Sequence, residues 1–492
     1  MSDPTTDATD FVLDLTDVVG EATEPPTGST HSTALRGENV ATTRSPLFEG
    51  RFGRMFRSLP PFVPSRASLT DLAGLMFEGQ AADADNPRIP AGYTYLGQFV
   101  DHDITFDPAS SLQRQNDPDG LVNFRTPRFD LDSLYGRGPS DDPFMYNQRP
   151  QDQQLKGALF LIGRNVGNGR DLPRNDQDRA LIGDPRNDEN LIVSQLHCTL
   201  LRFHNKMVRH LADTRDLKGT RLFRAAQRLT RWHYQWVVVN DFLRRIAGGQ
   251  LVDELIPEGT TGDEIISRLQ FFSWTERPFI PVEFSVAAYR FGHSMIRFDY
   301  TINDVVPTVP IFSGSTDPLA NLNGFRALPD QWGFQWEFFF ETRANHSPQL
   351  SRLVDAKLAR PLRTLPGVQQ PRSLAERNLL RGRTFGLPSG QAVAAHMGVE
   401  LLSDDDVGAV RASTEFAGNA PLWFYILREA VVVRQGRRLG PVGARIVAEV
   451  LTGLLAGDPL SYVNVRPAWR PQAPFARDGE FGMPELLRAA VS

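Results

Sequence analysis

The run GQFVDHDITFD, Gly97–Asp107, sets Asp101, His102 and Asp103 in a row inside an otherwise apolar stretch. Burying an unpaired charge is expensive, so such a triplet implies a cation, a cofactor or a reaction that offsets the cost. If Tyr95 to Asp103 is helical, Gln98, Asp101, His102 and Thr105 fall at i, i+3, i+4 and i+7 and share one face. Asp103 then lies about 100° further round, because a helix turns once every 3.6 residues. An amide, a carboxylate and an imidazole on one face suit proton transfer, and the second carboxylate serves a different partner.

Three further segments carry chemically capable residues. In RTPRFDLDSLYG, Arg125–Gly136, Thr126, Asp130 and Asp132 alternate along a loop, with the Arg128 carbonyl between them. Oxygen-only donors at every second position suit a hard cation such as calcium, although the glycine and terminal Glu of an EF-hand are missing. Alone, a D-x-D in a loop is more often a turn or a helix cap. In IGDPRNDENL, Arg186 and Glu189 are spaced to face one cavity from the start of a helix, or to form a surface ion pair of little worth. Nine histidines are present: His31, His102, His197, His204, His210, His233, His293, His346 and His396. His197, His204 and His210 lie in one helical stretch at spacings that fit no HExxH or Glu-x-x-His motif, which makes them structural or surface histidines. His293 sits among small and aromatic residues in AAYRFGHSMIRFD, one turn after Arg290, and on its own is either a ligand or a satisfied core residue.

The elements that must hold these residues are mainly helical. Asp188 to Leu211 places Val193, Leu196, Leu200, Met207 and Leu211 on one apolar stripe, with Asn187 or Asp188 as the expected cap. Further helices are expected over roughly 221–247 and 440–456, and 341–362 has weaker helical character. Alternating strand patterns are short and rare. Residues 1–35, rich in Asp, Thr, Ser and Pro, read as a flexible acidic arm. Residues 36–465 contain no clear boundary and form the catalytic body, and 466–492 is a Pro-rich tail expected to pack on the surface. The chain has 492 residues and a net charge of -5 without a basic tract, which argues against nucleic-acid binding. Its one cysteine, Cys198, excludes an intramolecular disulfide and cysteine-rich metal sites. No apolar run is long enough to span a bilayer. The acidic, polar start lacks the pattern of a signal peptide, so a cytoplasmic location is expected.

LGQFVDHDITF, TPRFDLDSLYG, GDPRNDEN followed by LLRFHN, AYRFGHSMI and NLLRGRTFGLP occur in this order. Together they resemble the animal-type haem peroxidases of the peroxidase–cyclooxygenase superfamily, from about Phe52 to Val463, and the chain looks like a compact bacterial-type member. The resemblance implies a single large, mainly α domain with haem b buried between central helices. His293 would be the axial iron ligand and Asn378 would accept its other ring N–H. On the opposite, distal side His102 would act as general base and then general acid toward hydrogen peroxide. Arg186 would stabilise developing negative charge, and Gln98 would line the peroxide or halide pocket. Arg290 and Arg381 would pair with the haem propionates. Asp101 and Glu189 match carboxylates that form ester bonds to haem in mammalian members; Asn190 stands where one branch has a methionine, so its sulfonium link is excluded. Asp103, Thr126, Asp130, Asp132 and the Arg128 carbonyl would bind calcium. The implied activity is reduction of hydrogen peroxide through a ferryl intermediate, with oxidation of a halide, thiocyanate or small phenol. A fatty-acid dioxygenase on the same fold is the alternative; it uses a tyrosine near the proximal helix, whereas three residues before His293 the chain has Arg290, with Tyr289 beside it. A haem- or calcium-binding protein without turnover is a third reading.

Overall fold

The periodic apolar stripes become helices in the computed structural model, which describes residues 52–79, 84–105, 123, 125–165, 169–368, 370–477 and 479–491. The expected arm over 1–35 lies outside the described residues. The principal helices are α1 (Arg66–Gly74), α2 (Gly92–Ile104), α3 (Leu191–Thr214), α4 (Gly219–Val237), α5 (Leu374–Thr384), α6 (Gly390–Met397), α7 (Leu422–Arg434), α8 (Pro441–Ala456) and α9 (Met483–Val491). Strands are confined to two-stranded pairs. Phe52–Gly53 runs parallel to Ile280–Pro281, while Asp85–Pro90, Gly163–Arg164 and Asp299–Tyr300 pair antiparallel with Leu350–Arg352, Arg170–Asp171 and Val309–Pro310.

Helix α2 is the central piece. Tyr93, Tyr95, Leu96, Phe99, Val100 and Ile104 are all buried, as are the polar His102 and Asp103. A helix that is apolar nearly all round belongs inside a core, and α2 packs against α3, the single helical turn Asp132–Tyr135 and the segment 288–295. Helix α3 in turn packs on α4 and α9. Helix α4 runs on through a π-helical stretch, Val238–Leu243, into Arg244–Ala247, so the expected 221–247 helix exists with a wider turn in it. The 440–456 helix is α8.

Two expectations need correction. Helix α3 begins at Leu191, not Asp188, and its cap is Asn190, whose side chain accepts from the Val193 N–H at 2.9 Å. Pro185 follows Asp184, whose carboxylate accepts from the Arg186 N–H at 2.9 Å, and the two close a separate 3₁₀ turn over Pro185–Asp188. Asn187 and Asp188 are thereby released from capping. The weak helix over 341–362 does not form: Pro348 interrupts it, and Leu350–Arg352 pairs with Asp85–Pro90. At the other end of the chain, residues 464–477 wind without helix before α9, which buries Met483, Leu486 and Leu487. The Asp241 carboxylate accepts from the Met483 N–H at 2.8 Å. Among the described residues no helix is long and apolar enough to cross a membrane.

Candidate active site

The 185–188 turn brings its residues up to the polar face of α2. His102 is buried, and its Nδ1 lies 2.8 Å from Asn187 Oδ1. An amide oxygen only accepts, so His102 Nδ1 carries the hydrogen and Nε2 carries the lone pair. That Nε2 is 3.7 Å from Glu189 Oε1. Gln98 Nε2 donates to the same Glu189 oxygen, and Asn190 Nδ2 donates to Gln98 Oε1 at 3.1 Å. Backbone contacts hold the turn from its far side: Phe325 N donates to Asp188 O at 2.6 Å and Gly324 N to Glu189 O at 3.1 Å. A Cβ at Gly324 would collide with the Asp188 carbonyl, so only glycine permits this approach. Asp101, on the same helix, accepts from Thr105 Oγ1 at 3.1 Å and stays partly exposed.

Arg186 is placed differently from Glu189. Its Nη2 donates to the carbonyls of His102 (2.9 Å) and Thr105 (2.5 Å) and to Asp184 (2.8 Å). The guanidinium therefore sits on the carbonyl end of α2, where a cation is favoured. Asp184 also accepts from Arg125 Nη2 at 2.6 Å, and Arg125 Nη1 reaches Asp132 at 3.0 Å. Burial pushes the Asp184 carboxyl up, but Arg186 and Arg125 outweigh it and hold the group well below the usual range. A continuous charge network thus joins the 130–132 loop to the base of the His102 helix.

Asp103 points away from that face, as the helical spacing requires. It accepts from Ser133 Oγ (3.2 Å) and the Leu131 N–H (3.3 Å). Carboxylate oxygens of Asp103, Asp130 and Asp132 lie within 4.8 Å of one another. Burial, then Asp130 and Asp132, push the Asp103 carboxyl well up. Thr126 Oγ1 donates to Asp130 at 2.6 Å, and Arg128, between them, donates its N–H to the Thr126 carbonyl at 2.8 Å. Crowded carboxylates of this kind fit a hard cation, which would remove their mutual repulsion.

His293 arrives from the other side. A π-helical stretch, Glu283–Ala287, turns into a 3₁₀ segment, Ala288–Met295, that packs against α2, α7 and α8. Tyr289 ties the two sides, its hydroxyl donating to the Gly97 carbonyl at 3.2 Å. His293 Nδ1 lies 2.8 Å from Asn378 Nδ2. Here the structure differs from the expectation that Asn378 accepts a ring N–H: its Oδ1 accepts from Arg290 Nη1 at 2.9 Å and its N–H₂ faces Nδ1, which puts the hydrogen of the neutral ring on Nε2, whereas an axial ligand needs that hydrogen on Nδ1 and the amide oxygen turned to accept it. Among the described residues His293 Nε2 makes no hydrogen bond, and it would serve as a metal donor with the ring hydrogen on Nδ1. Burial, then Arg290, lower the His293 imidazole to about 3, so it is a neutral nitrogen donor. Burial, then Arg381, depress the Arg290 guanidinium to about 10, partly offset by the Asp101 charge. Arg290 has no carboxylate at ion-pair distance among the described residues, which fits a group bringing its own acids. An iron porphyrin would supply a metal for His293 and propionate carboxylates for Arg290.

Sequence reasoning missed several participants. Asn187 was read as a helix cap, His197 as structural, and Asp184 and Arg125 drew no notice. The GDPR string, an Asp–Pro start followed at once by polar residues, was the available signal for a separate turn. Cys198 is buried within α3, its thiol 3.4 Å from the Asp171 carbonyl.

The family model for animal haem peroxidase matches residues 111–405. Human myeloperoxidase is 24% identical over 73% of this chain and 49% of its own length. A peroxidase-like protein of Margaritifera margaritifera is 26% identical over 49% of this chain and 35% of its own. The chain thus spans half or less of the length of these curated relatives. Among solved structures, peroxidase A from Dictyostelium discoideum aligns with a TM-score of 0.61 at 17% identity, covering 90% of this chain and 92% of that one. Fatty acid alpha-dioxygenase from Oryza sativa aligns with a TM-score of 0.57 at 14% identity, over 81% of this chain and 74% of its own. With the mainly α fold and the two facing histidine elements described, the match over more than half the chain settles the class: the chain belongs to the animal haem peroxidase family.

Proposed function

We propose that this chain reduces hydrogen peroxide at a haem held by His293 and passes the oxidising equivalents to a small donor. The carrying observation is that two imidazoles, each with Nδ1 against an asparagine amide, stand on elements packed against each other, His102 on α2 and His293 on 288–295. When bound, haem supplies the redox-active iron that takes two oxidising equivalents from peroxide. The protein's residues supply the rest. His102 Nε2 accepts a proton from one peroxide oxygen and returns it to the oxygen that leaves as water, so no net proton stays on the enzyme. Gln98 and Glu189 orient the peroxide beside that nitrogen. Arg186, fixed on the carbonyls of His102 and Thr105, adds positive potential at the base of the distal helix. In this reading Asp101 and Glu189 would form ester bonds with haem, and Arg290 and Arg381 would receive its propionates. Asp103, Asp130 and Asp132, with Thr126 and the Arg128 carbonyl, hold calcium. Halide, thiocyanate and small phenols are the donor classes.

The dioxygenase reading gains nothing from the site. Tyr289, the tyrosine beside the position that reading uses, is buried and donates to the Gly97 carbonyl. The test is the absorption spectrum of haem-loaded protein before and after one equivalent of peroxide. The proposal expects a histidine-ligated Soret band that shifts with peroxide and returns when halide or phenol is added. A band indifferent to peroxide would overturn it. Acid–acetone extraction of the same sample then separates free from ester-linked haem.

A further inference from the structure

Asn187 stands between two buried histidines. Its Oδ1 is 2.8 Å from His102 Nδ1, and its Nδ2 is 3.0 Å from Nδ1 of His197, on α3. Each end of the amide has one role: the oxygen accepts and the N–H₂ donates. His102 must therefore be protonated at Nδ1, and His197 must be unprotonated there, carrying its hydrogen on Nε2. His197 is fully buried, its ring edge-on to Phe99 at 5.8 Å, and its Nε2 has no partner among the described residues. An unpartnered buried N–H is costly, and such a cost is retained where the group serves a neighbour.

We infer that Asn187 and His197 form a tautomer lock that keeps the Nε2 lone pair of His102 directed at the haem cleft. This inference deepens the peroxidase reading and rests on it. Without the lock, His102 would divide between two tautomers, and the one protonated at Nε2 cannot receive the first proton of peroxide. The arrangement is strictly positional: neither Asn187 nor His197 touches the reacting atoms. Three constraints select it. The Asp184–Pro185 turn places Asn187, α3 supplies His197 from a different element, and Phe99, one turn before His102 on α2, closes the far side. Among the described residues neither histidine has another partner at Nδ1.

The test uses the full chain with ¹⁵N-labelled histidine, read by NMR without haem, and the haem-loaded enzyme read by stopped-flow mixing with peroxide. The His102 signals are assigned by their loss in His102→Gln. The wild type is expected to show an acceptor-type Nε2 and a protonated Nδ1 on His102, with the same tautomer assignment reversed on His197. Asn187→Leu should mix the His102 tautomers and slow the reaction with peroxide ~10- to 100-fold, the usual cost of losing a partner that orients a working group. Asn187→Asp, which still accepts from Nδ1, should keep the His102 tautomer and stay within about fivefold of the wild-type rate. A protonated Nε2 on wild-type His102, or an Asn187→Asp variant as impaired as Asn187→Leu, overturns the lock. If the wild type shows the expected tautomers yet does not react with peroxide, the peroxidase reading falls while the lock stands.

Discussion

His102 has two hydrogen-bonding edges, and the structure commits Nδ1 to Asn187 and sets Nε2 3.7 Å from Glu189 Oε1. Replacing it with Ala should therefore lower peroxide turnover by ~10²–10⁴, the usual share of a positioned base, while haem remains bound through His293. Turnover unchanged in that variant would remove His102 from the reaction. At Asp103 the prediction concerns pH. Burial and the neighbouring Asp130 and Asp132 raise its carboxyl above the ordinary 3.8. The folded, cation-free chain then holds a proton that the unfolded chain releases, so this contribution to stability is present at acid pH and lost as pH rises through the raised value. A bound divalent cation cancels the penalty on the ionised form. The gain in melting temperature on adding calcium should grow from acid to neutral pH; a gain independent of pH would detach the ion from these carboxylates.

Among the elements, the 185–188 turn and α3 behave as separate units with separate weaknesses. The turn depends on Gly324, which admits the Asp188 carbonyl at a distance no Cβ tolerates. Gly324→Ala should cost about 1–3 kcal/mol, as overpacking does, and also slow the peroxide reaction, because Glu189 moves with the turn. Denaturant melts and stopped-flow rates on one preparation would check both; a stable variant with native rate would free the turn from this contact. Helix α3 holds His197 and His204 neutral, and α4 holds His233. Burial lowers them to about 3, about 4 and about 4. Their folded pKa values lie below the ordinary 6.5, so the unfolded chain binds protons first. Stability is full above that value and falls as pH drops toward the folded values, by about 1.4 kcal/mol per pH unit for each imidazole. Urea midpoints measured from pH 7 to pH 4 should fall steeply, and a flat profile would contradict the burial.

For the whole molecule, the last helix is part of the site's support. Helix α9 covers α3, burying Met483, Leu486 and Leu487, and is tied to the core by Asp241. Removing residues 480–492 deletes those side chains, each worth about 1.5–3 kcal/mol when fully buried, uncovers the face of α3 they pack on, and should lower the melting temperature and weaken haem retention together. Retained haem affinity in the truncated protein would show that α3 holds the distal turn unaided.

Much of this was readable beforehand, and the boundary has a physical basis. The 3.6-residue period alone set Asp101 and His102 on one face and turned Asp103 to another, since their angular separation is a property of the helix and not of its surroundings. Apolar stripes located α3, α4 and α8 to within a few residues, because they depend on side-chain pattern. The 341–362 segment failed because a weak pattern yields to a strand partner elsewhere in the chain. The pairing of Arg290 with the Asn378 amide oxygen could not be read, since the two lie 88 residues apart. Nor could the joining of His102, Asn187 and His197, where two loci far apart in sequence close on one side chain. Local geometry is written in nearest-neighbour spacing; the orientation of a hydrogen-bonding group depends on which donors and acceptors folding delivers to it, and only the tertiary structure decides that.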